Sequence, residues 1–325
     1  MPESSPTPTI PRKKKRSLHR RFKRFIRGTP LEAWYYASQL VVFQALRSAL
    51  GAIPREWIRG LAGALGLGLW FALRQQRHRM RTNFRLVFGA QLSPRRCRAM
   101  GAAVLAHYLH VAFDAATFPR RIRRENVKSH FSLAGEEAFE ADLARGQGVL
   151  VASAHFGNWE LVMPHMGLLG YPAVGIVAER TNPLLQHELN RVRTETGAAL
   201  ILREGGVRKA LQALRSGKAL FITADMRAER EGEVVTFFER PARTFSTLAA
   251  LSKRLGCPIH GYFAHWVAPL RYEARFERLF DPSAPGEANA TVLEVMQRVT
   301  RAIETAVIHR PTQWTWSMER WEVNP

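Results

Sequence analysis

A chain of 325 residues accommodates one large domain and a smaller attached part, and its 46% apolar residues are enough for a sizeable core. The two cysteines, Cys97 and Cys257, lack metal-ligand spacing, which argues against a disulfide framework and fits a reducing, cytoplasmic setting. The formal net charge of +21 is extreme for a cytosolic metabolic enzyme. It predicts a polyanionic partner, either nucleic acid or an anionic membrane surface.

The amino-terminal third is predicted to associate with a membrane. Residues 1–28 are expected to form a disordered basic arm, with ten Lys or Arg and no acid between Arg12 and Arg27. Residues 29–118 are expected to be helical. Their apolar stretches, 33–46 and 60–73, are shorter than the ~20 residues that span a bilayer. Buried helices, interfacial helices and a shallow hairpin all remain open.

From residue 130 onward, short apolar runs alternate with helical patterns. Strands are predicted at 148–153, 173–178, 199–202, 219–223 and 258–263. Helices are predicted at 136–145, 184–196, 207–216 and 247–255. This alternation indicates an α/β fold with a mainly parallel central sheet flanked by helices, and we assign this core to residues 119–325.

The strongest candidate for chemistry is His155, which directly follows the first of these strands. Active groups gather beyond the carboxyl ends of strands in an open α/β sheet. Gly157 loosens the turn, Asn158 is expected to cap the following helix, and Glu160 falls in its first turn. We expect Glu160 to accept the Nδ1 proton of His155, which leaves Nε2 free as a general base. The pair alone is weakly specific, because a buried structural histidine at a strand end gives the same pattern.

Further motifs follow in order along the chain and extend this pattern. They are His155-Phe156-Gly157-Asn158-Trp159-Glu160, Arg180-Thr181-Asn182-Pro183-Leu184 with Asn190 and Arg193, Ala224-Asp225-Met226, Thr236-Phe237-Phe238 with Pro241-Ala242-Arg243-Thr244, and Pro311-Thr312-Gln313-Trp314-Thr315-Trp316 with Arg320-Trp321. An upstream block is Arg79-Met80-Arg81-Thr82-Asn83-Phe84. Over roughly residues 55–322 these blocks resemble the lipid A biosynthesis acyltransferases, the lauroyl and myristoyl transferases within the His-x4-Asp/Glu glycerolipid acyltransferase class.

The resemblance implies transfer of a fatty acyl chain from a thioester of acyl carrier protein or coenzyme A to a hydroxyl of a membrane glycolipid, with a lipid A precursor as the favoured acceptor. His155 and Glu160 would be the catalytic pair. The implied substrate-binding or oxyanion residues are Arg180, Asp225, Asn158, Asn182 and Arg193. Trp314, Trp316 and Arg320 are interpreted as packing residues. No metal or redox cofactor is expected, and the implied location is the cytoplasmic face of the bacterial inner membrane, held peripherally or by a single span.

Several features depart from the family pattern. The apolar stretches are interrupted where the family usually has one clear span, Arg227 stands where an acid is common, and Glu239 replaces a glycine. Another lipid acceptor, a basic nucleic-acid-binding protein and a non-catalytic membrane-surface protein are the alternatives. The sequence lacks the zinc spacing, aromatic RNA-binding motif or basic zipper that would support nucleic-acid binding.

Overall fold

The computed structural model describes residue 25, residues 28–89 and residues 92–322, so nearly all of the predicted basic arm lies outside the described residues. The helices are α1 (Pro30–Ala52), α2 (Arg55–Ala72), α3 (Arg74–Phe88), α4 (Pro94–Arg121), α5 (Val127–His130), α6 (Glu136–Ala144), α7 (Val162–Leu169), α8 (Pro183–Thr194), α9 (Val207–Arg215), α10 (Thr247–Leu255) and α11 (Val292–His309). The strands are β1 (Phe131–Ala134), β2 (Val149–Ser153), β3 (Ala173–Val177), β4 (Ala199–Leu202), β5 (Ala219–Thr223), β6 (Glu233–Phe237), β7 (Arg240–Thr244), β8 (Ile259–Ala268) and β9 (Arg271–Phe280).

A seven-stranded sheet organises the chain and confirms the predicted α/β class. Its strand order is β1-β9-β8-β2-β5-β3-β4. Strands β8, β2, β5, β3 and β4 run parallel, and β9 runs antiparallel to β8. The edge strand β1 is parallel to β9. The carboxyl ends of the five parallel strands therefore meet at one edge of the sheet.

The sequence interpretation missed four strands, of which β9 carries the clearest pattern. Along β9, buried Tyr272, Ala274 and Phe276 alternate with exposed neighbours. That alternation of apolar and charged residues indicates a strand with one covered face. The other three, β1, β6 and β7, are only four or five residues long, too short for a periodic signal.

Helices α3 and α4 pack into the same core as one face of the sheet. Phe84 meets the ring of Trp316 edge-on at 5.0 Å, and Asn83 donates hydrogen bonds to the carbonyls of Trp316 and Met318. The indole of Trp70 lies against Gly101 so closely that a Cβ there would come within 1.9 Å of the ring. The described helical part is thus joined to the sheet by buried contacts; the domain boundary near residue 118 stays a prediction.

Helix α4 is the described helix that is long and apolar enough to cross a membrane, and half of its apolar window is buried inside the protein. Core helices pass the same test, so this is weak support for membrane association. The polar groups of His107, His110 and Asp114 are buried along this helix. Asp114 accepts hydrogen bonds from the β8–β9 region, which shows that α4 belongs to the core.

The β6–β7 hairpin turns through two residues with positive φ, Phe238 at 50° and Glu239 at 58°. This is the geometry of a type I′ turn, in which glycine is favoured because L-residues pay a steric cost there. Glu239 is the position at which this chain departs from the glycine of the family pattern. Its side chain also adds negative charge near Glu304, which accepts a hydrogen bond from the Phe238 backbone.

We expect Glu239→Gly to raise the free energy of unfolding by up to about 1 kcal/mol, because glycine relieves the left-handed strain. Thermal or denaturant unfolding in detergent measures the change. Arg240→Gly is the matched control. That position lies in strand β7, where glycine should lower stability by about 0.5–1 kcal/mol. A less stable Glu239→Gly variant would contradict the assignment of strain to this turn.

Candidate active site

A cavity of about 770 Å³ opens at the carboxyl ends of strands β2, β3 and β5. It is lined mainly by apolar side chains, with a few charged groups. The apolar set includes Val162, Met163, Ile176, Ala210, Phe221, Ile222 and Leu251. The charged or polar set includes His155, Glu160, Glu179, Arg180, Arg193 and Arg203. The site follows the rule that open parallel sheets bind ligands beyond their carboxyl ends.

His155 and Asp225 are brought together by the register of two neighbouring strands. Ser153 of β2 pairs with Thr223 of β5, and each functional residue follows its strand end by two positions. His155 Nδ1 lies 2.9 Å from Asp225 Oδ1, and the His155 backbone N–H donates to Asp225 Oδ2 at 2.8 Å. The carboxylate thereby fixes both the backbone and the ring of His155. With Nδ1 donating to Asp225, Nε2 remains the unprotonated nitrogen.

Opposite charge shifts the pKa values of this pair in opposite directions. Burial lowers the pKa of His155, but the charge and hydrogen bond of Asp225 outweigh it and hold the pKa above its ordinary value. Burial raises the pKa of Asp225, but the charge of His155 and hydrogen bonds from His155 and Trp314 bring the pKa below its ordinary value. Asp225 is fully buried and His155 is 27% exposed, so only the histidine is open to the cavity.

The expected contact between Glu160 and the Nδ1 of His155 is wrong. Glu160 lies in a single 3₁₀ turn, Trp159–Leu161, where its carboxylate accepts hydrogen bonds from Nε and Nη2 of Arg193 at 3.0 and 2.7 Å. Arg193 reaches it from α8. The guanidinium group thus engages Glu160, while Asp225 occupies Nδ1 of His155. Glu160 acts on the imidazole as a second nearby negative charge, and it raises the His155 pKa less than Asp225 does.

The carboxyl-terminal block holds the histidine loop in place. Phe156 forms an antiparallel bridge with Trp314, and the Gly157 N–H donates to the Gln313 carbonyl at 2.9 Å. Both the N–H and the hydroxyl of Thr315 donate to the His155 carbonyl. These bonds satisfy the backbone of a buried loop that has no sheet partner of its own.

Trp314 contacts the buried carboxylate directly, and Arg320 interacts with it through its charge. Trp314 donates from its indole N–H to Asp225 Oδ2 at 2.9 Å, so it contributes a polar contact as well as packing. Arg320 is buried, with its guanidinium over the Phe237 ring and its pKa lowered by burial to about 10. Its charge acts favourably on Asp225. The interpretation of these two residues as packing was therefore incomplete.

A polar network supports the loop from behind. Gly157 has φ +58°, and a Cβ there would lie 1.8 Å from the Ala264 carbonyl oxygen, so glycine is required. His107 of α4 contacts the Gly157 carbonyl through Nε2 at 2.9 Å. Asn158 makes no capping hydrogen bond, contrary to expectation; its amide donates instead to the hydroxyl of Tyr272 at 3.1 Å.

The Tyr272 hydroxyl in turn donates to Asp114, whose pKa burial raises to about 7. Among these supports, His107 and Asp114 were missed by the sequence interpretation. With His110, they recur at helical spacing on an otherwise apolar helix, and that recurrence could have indicated a buried polar face.

The remaining predicted residues divide between the cavity and a structural role. Arg180 lines the cavity from an exposed position, and its backbone N–H donates to Gln186. Asn182 is buried and absent from the cavity wall. It caps α8 by accepting from Leu184 N and Leu185 N. Arg203, not identified from the sequence, also lines the cavity.

Among the described residues, no group of three or more His, Cys, Asp or Glu side chains is arranged to hold a metal ion. The expectation that the protein uses no metal or redox cofactor stays a prediction. What the geometry does provide is a histidine oriented by a buried carboxylate at the wall of a largely apolar cavity. That arrangement can remove a proton from a bound hydroxyl without a protein nucleophile.

Comparison with known proteins agrees with this geometry. A family model described as bacterial lipid A biosynthesis acyltransferase matches residues 31–323, nearly the whole chain. A search of curated proteins found no match. The family match establishes the protein as an acyltransferase, supports a lipid A-type acceptor and indicates membrane association. The chain belongs to the bacterial lipid A biosynthesis acyltransferase family.

Proposed function

We propose that this acyltransferase moves a fatty acyl chain from a thioester donor, acyl carrier protein or coenzyme A, to a hydroxyl of a lipid A precursor. The observation that carries the proposal is the His155 imidazole at the cavity wall, held at Nδ1 by the buried Asp225. The apolar lining suits an acyl chain, and the strongly acidic carrier protein suits a chain with a net charge of +21.

In the proposed reaction, Nε2 of His155 takes the proton of the acceptor hydroxyl as its oxygen attacks the thioester carbonyl. The carbon–sulfur bond of the resulting tetrahedral intermediate then breaks, and the His155 imidazolium donates its proton to the departing sulfur, which restores the neutral base. Asp225 stabilises the transient imidazolium, because its negative charge is fully buried 2.9 Å from Nδ1. The result is an ester on the lipid and a free thiol on the donor.

Glu160 enters the proposal differently from the sequence-based hypothesis of a His–Glu dyad. Its ion pair with Arg193 joins the histidine loop to α8 and adds a second negative charge near the base. For Arg180 and Arg203, we propose contacts with anionic groups of the substrates, since both line the cavity. Asn158 and Asn182 have structural roles in this proposal: Asn158 supports the histidine loop and Asn182 caps α8.

Three alternative functions can be distinguished from the proposed one by the products that an assay would detect. An acyltransferase acting on another lipid would use the same mechanism with a different acceptor. A nucleic-acid-binding protein would bind DNA in a salt-sensitive way and produce no lipid. A non-catalytic surface protein would bind membranes without turnover.

We place the enzyme at the cytoplasmic face of the inner membrane, where the thioester donors are available.

The direct test combines purified protein with acyl carrier protein or coenzyme A thioesters and a lipid A precursor. Mass spectrometry should show a lipid heavier by one acyl chain. Total lipids from cells with and without the gene should differ by the same mass. A mass shift confined to another lipid class would contradict the acceptor, and salt-sensitive DNA binding without any lipid product would contradict the reaction.

We expect His155→Ala to lower the turnover rate by about 10²–10⁴-fold, because the general base is lost. His187→Ala is the matched control, since His187 is exposed on α8 and does not line the cavity. It should retain the wild-type rate. Unfolding curves establish that both variants are folded. A His155→Ala enzyme with an unchanged rate would rule out this mechanism.

The pH dependence distinguishes Asp225 from Glu160. Because His155 must be neutral to act as the base and its pKa is raised, activity should fall as pH drops through a value above the ordinary 6.5. Asp225→Asn should move this acidic limb to lower pH. It should also reduce the plateau rate by about 10²–10⁴-fold, because the ring loses its orienting carboxylate.

Glu160→Gln should shift the acidic limb less than Asp225→Asn, because Glu160 exerts the weaker charge effect on His155. Rate–pH profiles of the wild type and both variants provide the measurement. If Glu160→Gln shifted the limb and lowered the plateau as much as Asp225→Asn, Glu160 would be the operative partner of the base during turnover.

A further inference from the structure

Helix α1 is apolar on its exposed side as well as on the side that faces the core. On the side that faces the core, Leu40 and Phe43 are half-buried. The Tyr36 carbonyl and the side chains of Gln39 and Arg47 contact polar groups of the core there. The opposite side is apolar and open, with Trp34 76% and Val41 62% exposed. A surface helix of a soluble protein normally exposes a polar side, so the exposed apolar side of α1 is available to an apolar partner.

Polar contacts at two points hold α1 along helix α8. Asn182, the cap of α8, donates to the Tyr36 carbonyl at 3.1 Å and to Gln39 Oε1 at 2.9 Å. Further along, Arg47 forms an ion pair with Glu188 at 2.5 Å. The eleven residue-to-residue steps from Tyr36 to Arg47 extend over about 16 Å at 1.5 Å per step. A helix attached at both of these points lies along the core rather than projecting from it.

Helix α2 continues the same apolar surface. Its buried side carries Ile58, Ala62, Gly66 and Trp70 at four-residue spacing, packed on α4. Its exposed side is again apolar. We define the docking face as the exposed large apolar residues of both helices: Leu31, Trp34, Val41, Val42, Leu46, Trp57, Leu61, Leu65, Leu67 and Phe71. These are ten of the 20 exposed large apolar residues in the described part of the chain, so the exposure is concentrated on two helices.

Basic residues adjoin one end of the docking face. Arg120, Arg121, Arg123 and Arg124 are all exposed where α4 ends. This cluster lies next to the last turn of α1, because a Cβ on Gly51 would be 3.4 Å from Arg120 Nη1. An apolar surface bordered by arginines matches the two layers of an anionic bilayer interface, acyl chains beneath phosphates.

Helix α1 is also joined to an element that forms part of the cavity wall. Asn182, which binds α1, is two residues from Arg180 on the cavity wall, and α8 contributes Arg193 to the same wall. We infer that α1 and α2 lie in the plane of the membrane interface, with the docking face among the acyl chains and the Arg120–Arg124 cluster at the headgroups. The choice of a bilayer over a protein partner rests on the proposed lipid acceptor, which would then reach the cavity from the bilayer side.

Label depth along α1 distinguishes a helix in the plane from one that spans. Nitroxide labels would be placed one at a time on the full-length protein as Trp34→Cys, Val41→Cys and Ala45→Cys. These positions lie within about 40° on the helix, on its exposed side. The native Cys97 and Cys257 are buried. Vesicles of phosphatidylethanolamine and phosphatidylglycerol in a 3:1 ratio are the probe, and collisional relaxation gives each depth.

All three labels should lie at one depth, about 5–10 Å below the phosphates. Ile308→Cys, an exposed apolar position on α11, is the control and should stay in water. Depths that differed by about 16 Å between positions 34 and 45 would show a spanning helix and overturn the inference. Labels that remain in water when vesicles are present would also overturn the inference. So would labels that are shielded in the absence of vesicles if the protein sediments as a dimer, because the apolar surface would then be an interface between two copies of the chain.

The arginine cluster has a separate readout. Replacing Arg120, Arg121, Arg123 and Arg124 with Gln should weaken binding to the same vesicles by about fivefold per arginine and have little effect on purely zwitterionic vesicles. Unchanged affinity for the anionic vesicles would remove the cluster from the docking surface. Neither readout depends on turnover, so a failed lipid A assay with normal label depths would contradict the proposed function alone.

Discussion

The buried carboxylate of Asp225 is the group on which the candidate site depends. Its two oxygens accept three hydrogen bonds, from the backbone and ring of His155 and from the indole of Trp314. An ionised carboxylate without such partners would be costly at this depth, and each donor would lose its partner if the carboxylate were removed. Asp225 therefore couples three distant segments of the chain at one point and determines which nitrogen of His155 can act as the base.

This coupling explains the arrangement around the histidine loop. The segment Phe156–Gly157 has no place in the sheet, so its backbone groups are satisfied by the carboxyl-terminal block and by His107. Gly157 permits the close approach to Ala264 that brings the loop against β8. The loop is thus fixed on several sides, while the imidazole edge that faces the cavity remains accessible. A rigid surround of this kind keeps the imidazole oriented and leaves the cavity open.

The same division between a fixed core and an open side extends to the amino-terminal helices. Helices α3 and α4 bury their side chains with the sheet and support the loop, whereas α1 and α2 leave a broad apolar surface exposed. The hydrogen bonds of Asn182 and the Arg47–Glu188 ion pair join α1 to α8, which contributes Arg193 to the wall of the cavity. In the proposed function, the acceptor lipid would enter the cavity from the side on which α1 and α2 are inferred to meet the bilayer.

Local pattern in the sequence was enough to predict the α/β class, the five parallel strands, the position of His155 after a strand and, through its ordered blocks, the family. Each is encoded in neighbouring residues. The partner of His155 was not, because Asp225 is 70 residues away and meets it only when β2 and β5 pair in register. Glu160, five residues from His155, was the natural expectation, yet Arg193 from another helix engages it. Likewise, the apolar content of residues 33–46 and 60–73 predicted that both segments are stable in an apolar environment. Only the packing of α1 and α2 against α8 and α4 determined which side of each helix remains exposed.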